Sequence, residues 1–284
     1  MNRPIYAFYG HHKCATMSLN TLSGAVCKRI GRNFSVVYNE DQFSRNLDKY
    51  CQDNNVDFLA YGNADINFVR NLPYHRAFHI IRDPRDIVVS AYYSHGYSHS
   101  TTSDWPELVE HRKKLQSLSP DEGITEEIRF RRRSFEHMYN WDYEQDGILE
   151  IRFEDFAANS YDTILRAFTH LGLVDGSDYR FFKRFGALAR EIRAAFTAAT
   201  NIMVPRFIPN PTIPSAELLA LAWRNRFEAK SQGRKQGAED IANHYRKGKS
   251  GDWKTHMNPD HKVLFKELYP DLVPKLGYAE SDNW

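Results

Sequence analysis

A single lysine occupies the turn after the first apolar run. Ile5-Tyr-Ala-Phe-Tyr9 leads into Gly10-His-His-Lys-Cys-Ala-Thr-Met-Ser18, and then into Leu19 to Arg29. Aromatic and β-branched residues in the run predict a buried strand, and the Leu19/Leu22/Val26 spacing predicts a helix behind the turn. Gly10 permits a tight turn, Lys13 supplies a point charge, and Thr16 and Ser18 supply hydroxyls. Together they make an anion site at a helix N-terminus, where unpaired backbone N–H groups and the helix dipole favour phosphate. A lone loop of this kind also arises by chance, so by itself it weighs evenly between an anion site and an ordinary turn.

Two further stretches carry similar chemistry. In Ile80-Ile-Arg-Asp-Pro-Arg-Asp-Ile-Val-Val-Ser-Ala-Tyr-Tyr93, Arg82 closes a strand, Asp83 is placed to cap a helix and Pro84 suits its first turn. Ser90 lies two turns on, so Arg82 and Ser90 can meet one anion from the strand end and the helix side. The bland alternative is a capped helix with Arg82 and Arg85 paired to Asp86. In His244-Tyr-Arg-Lys-Gly-Lys-Ser-Gly-Asp-Trp-Lys254, Arg246, Lys247 and Lys249 stand with Gly248 and Gly251, a composition able to fold its backbone onto phosphate. Upstream, Asn225 and Phe227 precede another basic, glycine-containing stretch, and Phe227 is either a purine platform or a buried core ring.

These residues need a scaffold. Asn33–Tyr38, Asp57–Tyr61 and Ala77–Ile81 read as further strands, and their alternation with helical stretches predicts a parallel sheet with ligands at its carboxyl edge. Lys13, Glu40, Asn63, Asp65 and Arg82 then fall on one edge. That convergence outweighs any single motif. Helices are expected over Pro106–Leu118 and Glu126–Trp141. The chain of 284 residues suits one large α/β domain, with 42% hydrophobic residues to fill its core. A net charge of +2 argues against a nucleic-acid partner. Three cysteines imply no disulfide framework and fit a reducing cytoplasm, and no segment approaches a membrane span.

With all three stretches in view, the chain resembles the sulfotransferases. Gly10-His-His-Lys-Cys-Ala-Thr16 resembles their 5′-phosphosulfate loop, and Arg82-Asp-Pro-Arg-Asp-Ile-Val-Val-Ser90 their 3′-phosphate motif. Arg246-Lys-Gly-Lys-Ser-Gly-Asp-Trp253 is similar to the C-terminal signature of the cytosolic branch, and Ile148 to Phe156 with Leu165 to Leu173 to its late strand and helix. The resemblance implies a P-loop NTPase-like α/β fold, a parallel central sheet flanked by helices, and the donor 3′-phosphoadenosine 5′-phosphosulfate (PAPS), with PAP as product and no metal. It carries the loop His12, Lys13, Cys14, Ala15, Thr16, Met17 and Ser18 to the phosphosulfate. Arg82, Ser90, Arg246, Lys247 and Gly248 go to the 3′-phosphate, and Phe227 with Asn225 to adenine. Lys13 would also neutralise the leaving oxygen.

The departures concern catalysis. The family loop reads Lys-Ser/Thr-Gly-Thr-Thr, and here Met17 removes one hydroxyl. The cytosolic branch's base, a His in Lys-Thr-His-Leu-Pro, has no counterpart: Ala60-Tyr-Gly-Asn-Ala-Asp65 stands there. Glu40, which resembles the Glu of Golgi-type members, and Asp65 are the candidate bases, with a slight preference for Glu40; His11 or His12 is a distant third. Each carboxylate has a plain alternative, a helix-start acid for Glu40 and an N-cap for Asp65. Adjacent His11 and His12 make a poor metal pair.

Two regions are expected to shape the acceptor pocket. Ser94 to Tyr143 is rich in His, Tyr and Trp, and its Arg129 and Arg131 to Arg133 are expected as a solvated basic face paired with Glu126 and Glu127. An insertion at about 174–223 is expected to form a lid or subunit contact, helical over Arg184–Thr200, with Met203, Phe207 and Ile208 as apolar lid residues. The reading is therefore a cytoplasmic, PAPS-dependent sulfotransferase of a single domain, monomer or homodimer. Its acceptor would be a small-molecule hydroxyl or amine, with natural products among the candidates. The rivals are a non-catalytic PAPS/PAP-binding module and, less well supported, a P-loop kinase, since the loop lacks the Gly-Lys-Ser/Thr ending that binds magnesium.

Overall fold

The computed structural model describes residues 4–73, 75–101, 105–175 and 212–284. Five parallel strands form the central sheet: β1 (Ile5–Gly10), β2 (Phe34–Val37), β3 (Phe58–Tyr61), β4 (His75–Ile81) and β5 (Ile148–Arg152), in the order β2-β3-β1-β4-β5. The register pairs Tyr6 with Phe58 and Arg76, and Tyr9 with Tyr61 and His79. β1 is central and buried throughout, as a continuous apolar run requires when both faces are covered. Alternate residues feed two cores. Tyr6 and Phe8 pack with Phe58 and Phe78 on one face, while Ile5, Ala7 and Tyr9 join Leu59, Tyr61 and Trp141 on the other.

Helices cover both faces. α1 (Thr16–Ile30) buries Leu19, Leu22 and Val26 against the first core and stops at Gly31, which adopts the left-handed conformation of a C-cap. α2 (Leu47–Asp53) and α3 (Ile66–Val69) cover the second core. α4 (Pro84–Tyr93) starts from Asp83, whose carboxylate accepts from the Arg85 N–H at 3.0 Å. The alternative in which Arg82 and Arg85 pair with Asp86 fails: Arg85 pairs with Asp83 at 2.7 Å, and Asp86 accepts from the backbone N–H groups of Gly251 (2.5 Å) and Trp253 (3.0 Å).

α5 (Pro106–Ser117) falls within the expected span. The single helix expected over Glu126–Trp141 is two: α6 (Pro120–Phe130), opened by a Ser119/Glu122 capping box, and α7 (Arg132–Asn140). They meet at Arg131, whose side chain turns inward to a buried carboxylate. After β5 come α8 (Phe153–Ala158) and α9 (Ser160–His170), so the late strand ends earlier than the apolar run suggests. Short strands β6 (Val174–Asp175) and β7 (Ile213–Pro214) bracket the expected insertion, whose Arg184–Thr200 helix and apolar lid residues lie outside the described residues. No described helix is long and apolar enough to cross a membrane.

Candidate active site

The carboxyl ends of β1 to β4 open into a cleft of about 1730 Å³. Every residue expected to bind the donor lines it except Cys14, and so does Glu40. The Cys14 side chain is fully buried in the core, its N–H donates to the His11 carbonyl at 3.1 Å, and burial pushes its thiol up to about 12. It contributes packing to the loop and no nucleophile.

The loop itself is unusual. Lys13 and Ala15 both have positive φ, 69° and 59°, a region that costs an L-residue roughly 1–2 kcal/mol. Ala15 stands where the sulfotransferase loop has glycine, and it offers no side-chain cap to α1. The first N–H groups of that helix are therefore left for something else. The Thr16 hydroxyl donates to the His11 carbonyl at 2.9 Å, stitching the loop closed. Lys13 is only partly open to the cleft. Burial first, and then the neighbouring Arg82, Arg131 and Arg246, bring its ammonium down to about 7. A cation held this far down is one that an incoming anion would stabilise.

Arg82 ties the three motifs together. Its guanidinium donates to the Lys13 carbonyl (3.2 Å) and the Lys249 carbonyl (3.3 Å), and lies 4.3 Å from the Phe153 ring centre. Its Nε is buried with no partner, one donor left over in a cleft wall. Arg246 stacks on Tyr93 at 4.6 Å and is bonded to Glu239 and Asp252, while Lys247 reaches Asp252 at 2.5 Å. Gly248 has φ 66°, and a Cβ there would come within 2.6 Å of the Phe227 ring, so only glycine lets the backbone run beneath that aromatic. Phe227 is partly exposed on the cleft wall; the buried-core alternative does not hold. Asn225 donates to the Leu221 carbonyl at 2.9 Å.

The opposite wall departs further from expectation. Arg129 does pair with Glu126 on the surface, but Arg131 is buried, its Nε 2.8 Å from Glu127. Glu127 is fully buried and also accepts from His95 (2.9 Å) and His111 (2.8 Å). Burial would raise this carboxyl, yet His95 and Arg131 hold it far below the ordinary carboxylate range. The ligand atoms of Glu127 and the two histidines lie within 4.8 Å of one another, a spacing the hydrogen bonds account for. Arg131 in turn donates to His12 Nδ1 at 2.9 Å. A guanidinium cannot accept, so the proton of neutral His12 sits on Nε2. His12 is thus a hydrogen-bond donor at the cleft.

Glu40 begins the short 3₁₀ turn Glu40–Phe43 and bonds Arg133 at 2.5 Å. Burial pushes its carboxyl up, but a backbone N–H and Arg133 outweigh this and hold it below its usual value. Asp65 caps α3, accepting from the Asn67 N–H at 2.9 Å, and stands 3.7 Å from His137, which lines the cleft. Sequence reasoning did not single out His137, and it set Glu127 on a solvated face where the fold buries it. The signal for His137 was its position four residues after Arg133 on one helix face.

No family model matches the chain, and no curated protein matches it either. Solved structures do. The chain is similar to mouse sulfotransferase SULT7A1 complexed with PAP, at 14% identity and a TM-score of 0.50, covering 96% of this chain and 86% of that one. It is also similar to retinol dehydratase in complex with androsterone and inactive cofactor PAP, at 12% identity and a TM-score of 0.46, over 96% and 81% of the two chains. The chain has the sulfotransferase fold. At such identities the likeness concerns the fold, so the chemistry must be argued from the cleft.

Proposed function

We propose that the chain is a sulfotransferase that moves a sulfuryl group from PAPS to a hydroxyl or amine of a small-molecule acceptor. One observation carries the reading: the guanidinium of Arg82 joins the carbonyls of Lys13 and Lys249, so three motifs distant in sequence close one cleft. The donor chemistry fits the residues. An unpartnered Arg82 Nε, the uncapped start of α1, and a glycine passing beneath Phe227 suit two phosphate groups and a purine. The PAP held by mouse SULT7A1, on the same fold, supports the same nucleotide here.

In this reading Lys13, Thr16 and Ser18 hold the phosphosulfate and Arg82, Ser90, Arg246, Lys247 and Gly248 the 3′-phosphate. The acceptor oxygen or nitrogen forms a bond to sulfur as the bond from sulfur to the 5′-phosphate oxygen breaks. Lys13 stabilises the charge left on that oxygen, and the acceptor's proton passes to a base on the opposite wall. Positioning and fixed charge do most of the work in such in-line transfers. The experiment is incubation of the full chain with [³⁵S]PAPS and a panel of phenols, alcohols, sugars and amines. PAP binding and labelled product support the reading. PAP binding without any transfer favours a non-catalytic module, and magnesium-dependent ATP turnover favours a kinase.

A further inference from the structure

The base that the cytosolic sulfotransferase loop would supply is missing after β3, and four histidines line the cleft instead: His12, His99, His137 and His244. His12 is excluded by its hydrogen bond, because Arg131 occupies Nδ1 and the proton stays on Nε2. His99 and His244 lie on the Lys13 side of the cleft, and burial and the Lys13 charge pull both down, His244 to about 4. Arg112 and Arg131 press on His99 as well. A ring among cations holds a proton it has taken less well than one facing carboxylates.

His137 has different surroundings. Asp65 faces it from the start of α3 at 3.7 Å, with the two side chains 18% and 17% exposed, so the pair is open enough to reach and to be reached. Glu40 faces it from the 3₁₀ turn, Arg133 and Glu136 from its own helix, and the His11 ring from the loop after β1. Three carboxylates against one guanidinium favour an imidazolium once it forms. Glu40 itself would have to release Arg133 to accept a proton. Resting on the sulfotransferase reading, we infer that His137 is the general base and that Asp65 is its positioning residue, replacing in three dimensions a histidine the sequence lacks. Burial keeps His137 below its ordinary 6.5, so the ring is neutral and has a lone pair at pH 7.

Water serves as the acceptor in the test, because desulfation of [³⁵S]PAPS needs no knowledge of the natural one. The water oxygen bonds to sulfur, the bond to the 5′-phosphate breaks, His137 takes the proton, and PAP and sulfate leave. The wild-type rate should rise with pH along an acid limb centred below 6.5. His137→Gln should lower it about a hundredfold and abolish the limb, with PAP affinity within threefold of wild type as proof of folding. Asp65→Asn should lower the rate about tenfold and move the limb to lower pH, since the lost carboxylate had raised the ring. A His137→Gln variant that keeps both rate and limb overturns the assignment, as does a limb abolished by His99→Gln or Glu40→Gln instead. A wild-type protein that fails to bind PAP, or that binds it and passes label neither to water nor to any acceptor of the panel, overturns the sulfotransferase reading itself; where only an acceptor is labelled, the same limb and variants are read on that transfer.

Discussion

In the proposed reading, the wall of the cleft given to the donor is made of backbone turns, and the wall given to the acceptor of side-chain pairs. On that first wall, Gly10 to Ser18 and Arg82 follow strand ends, and Arg246 to Lys249 lie in the loop ahead of the helical turn Trp253–His256, in short runs whose composition announces anion binding. On the acceptor wall, Arg131 meets Glu127 and His12, Arg133 meets Glu40, and His137 meets Asp65, across 119 residues in the widest case. In that reading, local runs would hold the nucleotide, and pairs set by the fold would face the acceptor.

That contrast predicts where single substitutions hurt. Glu127→Ala strands Arg131 and two histidines in the core, and should cost about 3–5 kcal/mol of stability, read as denaturant midpoint. A smaller loss would mean that the acceptor wall is held by packing rather than by charge. Lys13→Met should lower sulfuryl transfer by about 10²–10³ while the midpoint hardly moves, the signature of a binding wall. Gly248→Ala, which forces a Cβ into Phe227 at positive φ, should weaken PAP binding roughly tenfold by calorimetry.

pH sharpens the contrast on the donor side. Lys13 ionises near 7 in the free cleft, and a bound phosphate favours its charged form. Above that pH, binding must take up a proton, so PAP affinity should fall by nearly tenfold per pH unit from about 7 to 9, where the nucleotide's own phosphates are already ionised. A flat profile would remove Lys13 from the phosphate site. The smallest effect is expected for Ala15→Gly, which relieves a left-handed alanine and should raise stability by no more than about 1 kcal/mol.

The donor wall was legible because its parts are local. The strand of Ile5–Gly10, the Asp83 cap and the glycine of the last loop each follow from neighbours in sequence; the parallel sheet brings the first two together, and Arg82 and Asp86 hold the last loop against them. The acceptor wall was not. Arg131 sits in a run of arginines that reads as a wet helix face, and only the fold places a buried glutamate beneath it. His137 looks like one more polar residue until Asp65, 72 positions earlier, comes to stand beside it. The break between α6 and α7 was hidden for a related reason, since it falls at Arg131, inside a run that holds neither glycine nor proline.

Asp86 holds the backbone of Gly251 and Trp253 from the first turn of α4, and Arg85 beside it stacks on the Trp253 ring at 3.9 Å. The nucleotide cradle therefore closes only when chain emerging late in synthesis docks on a helix formed long before. In the proposed reading a polypeptide that already has the lysine loop lacks the cradle until Trp253 has been added, so PAP protection in a translation reaction would report only molecules extended past that residue.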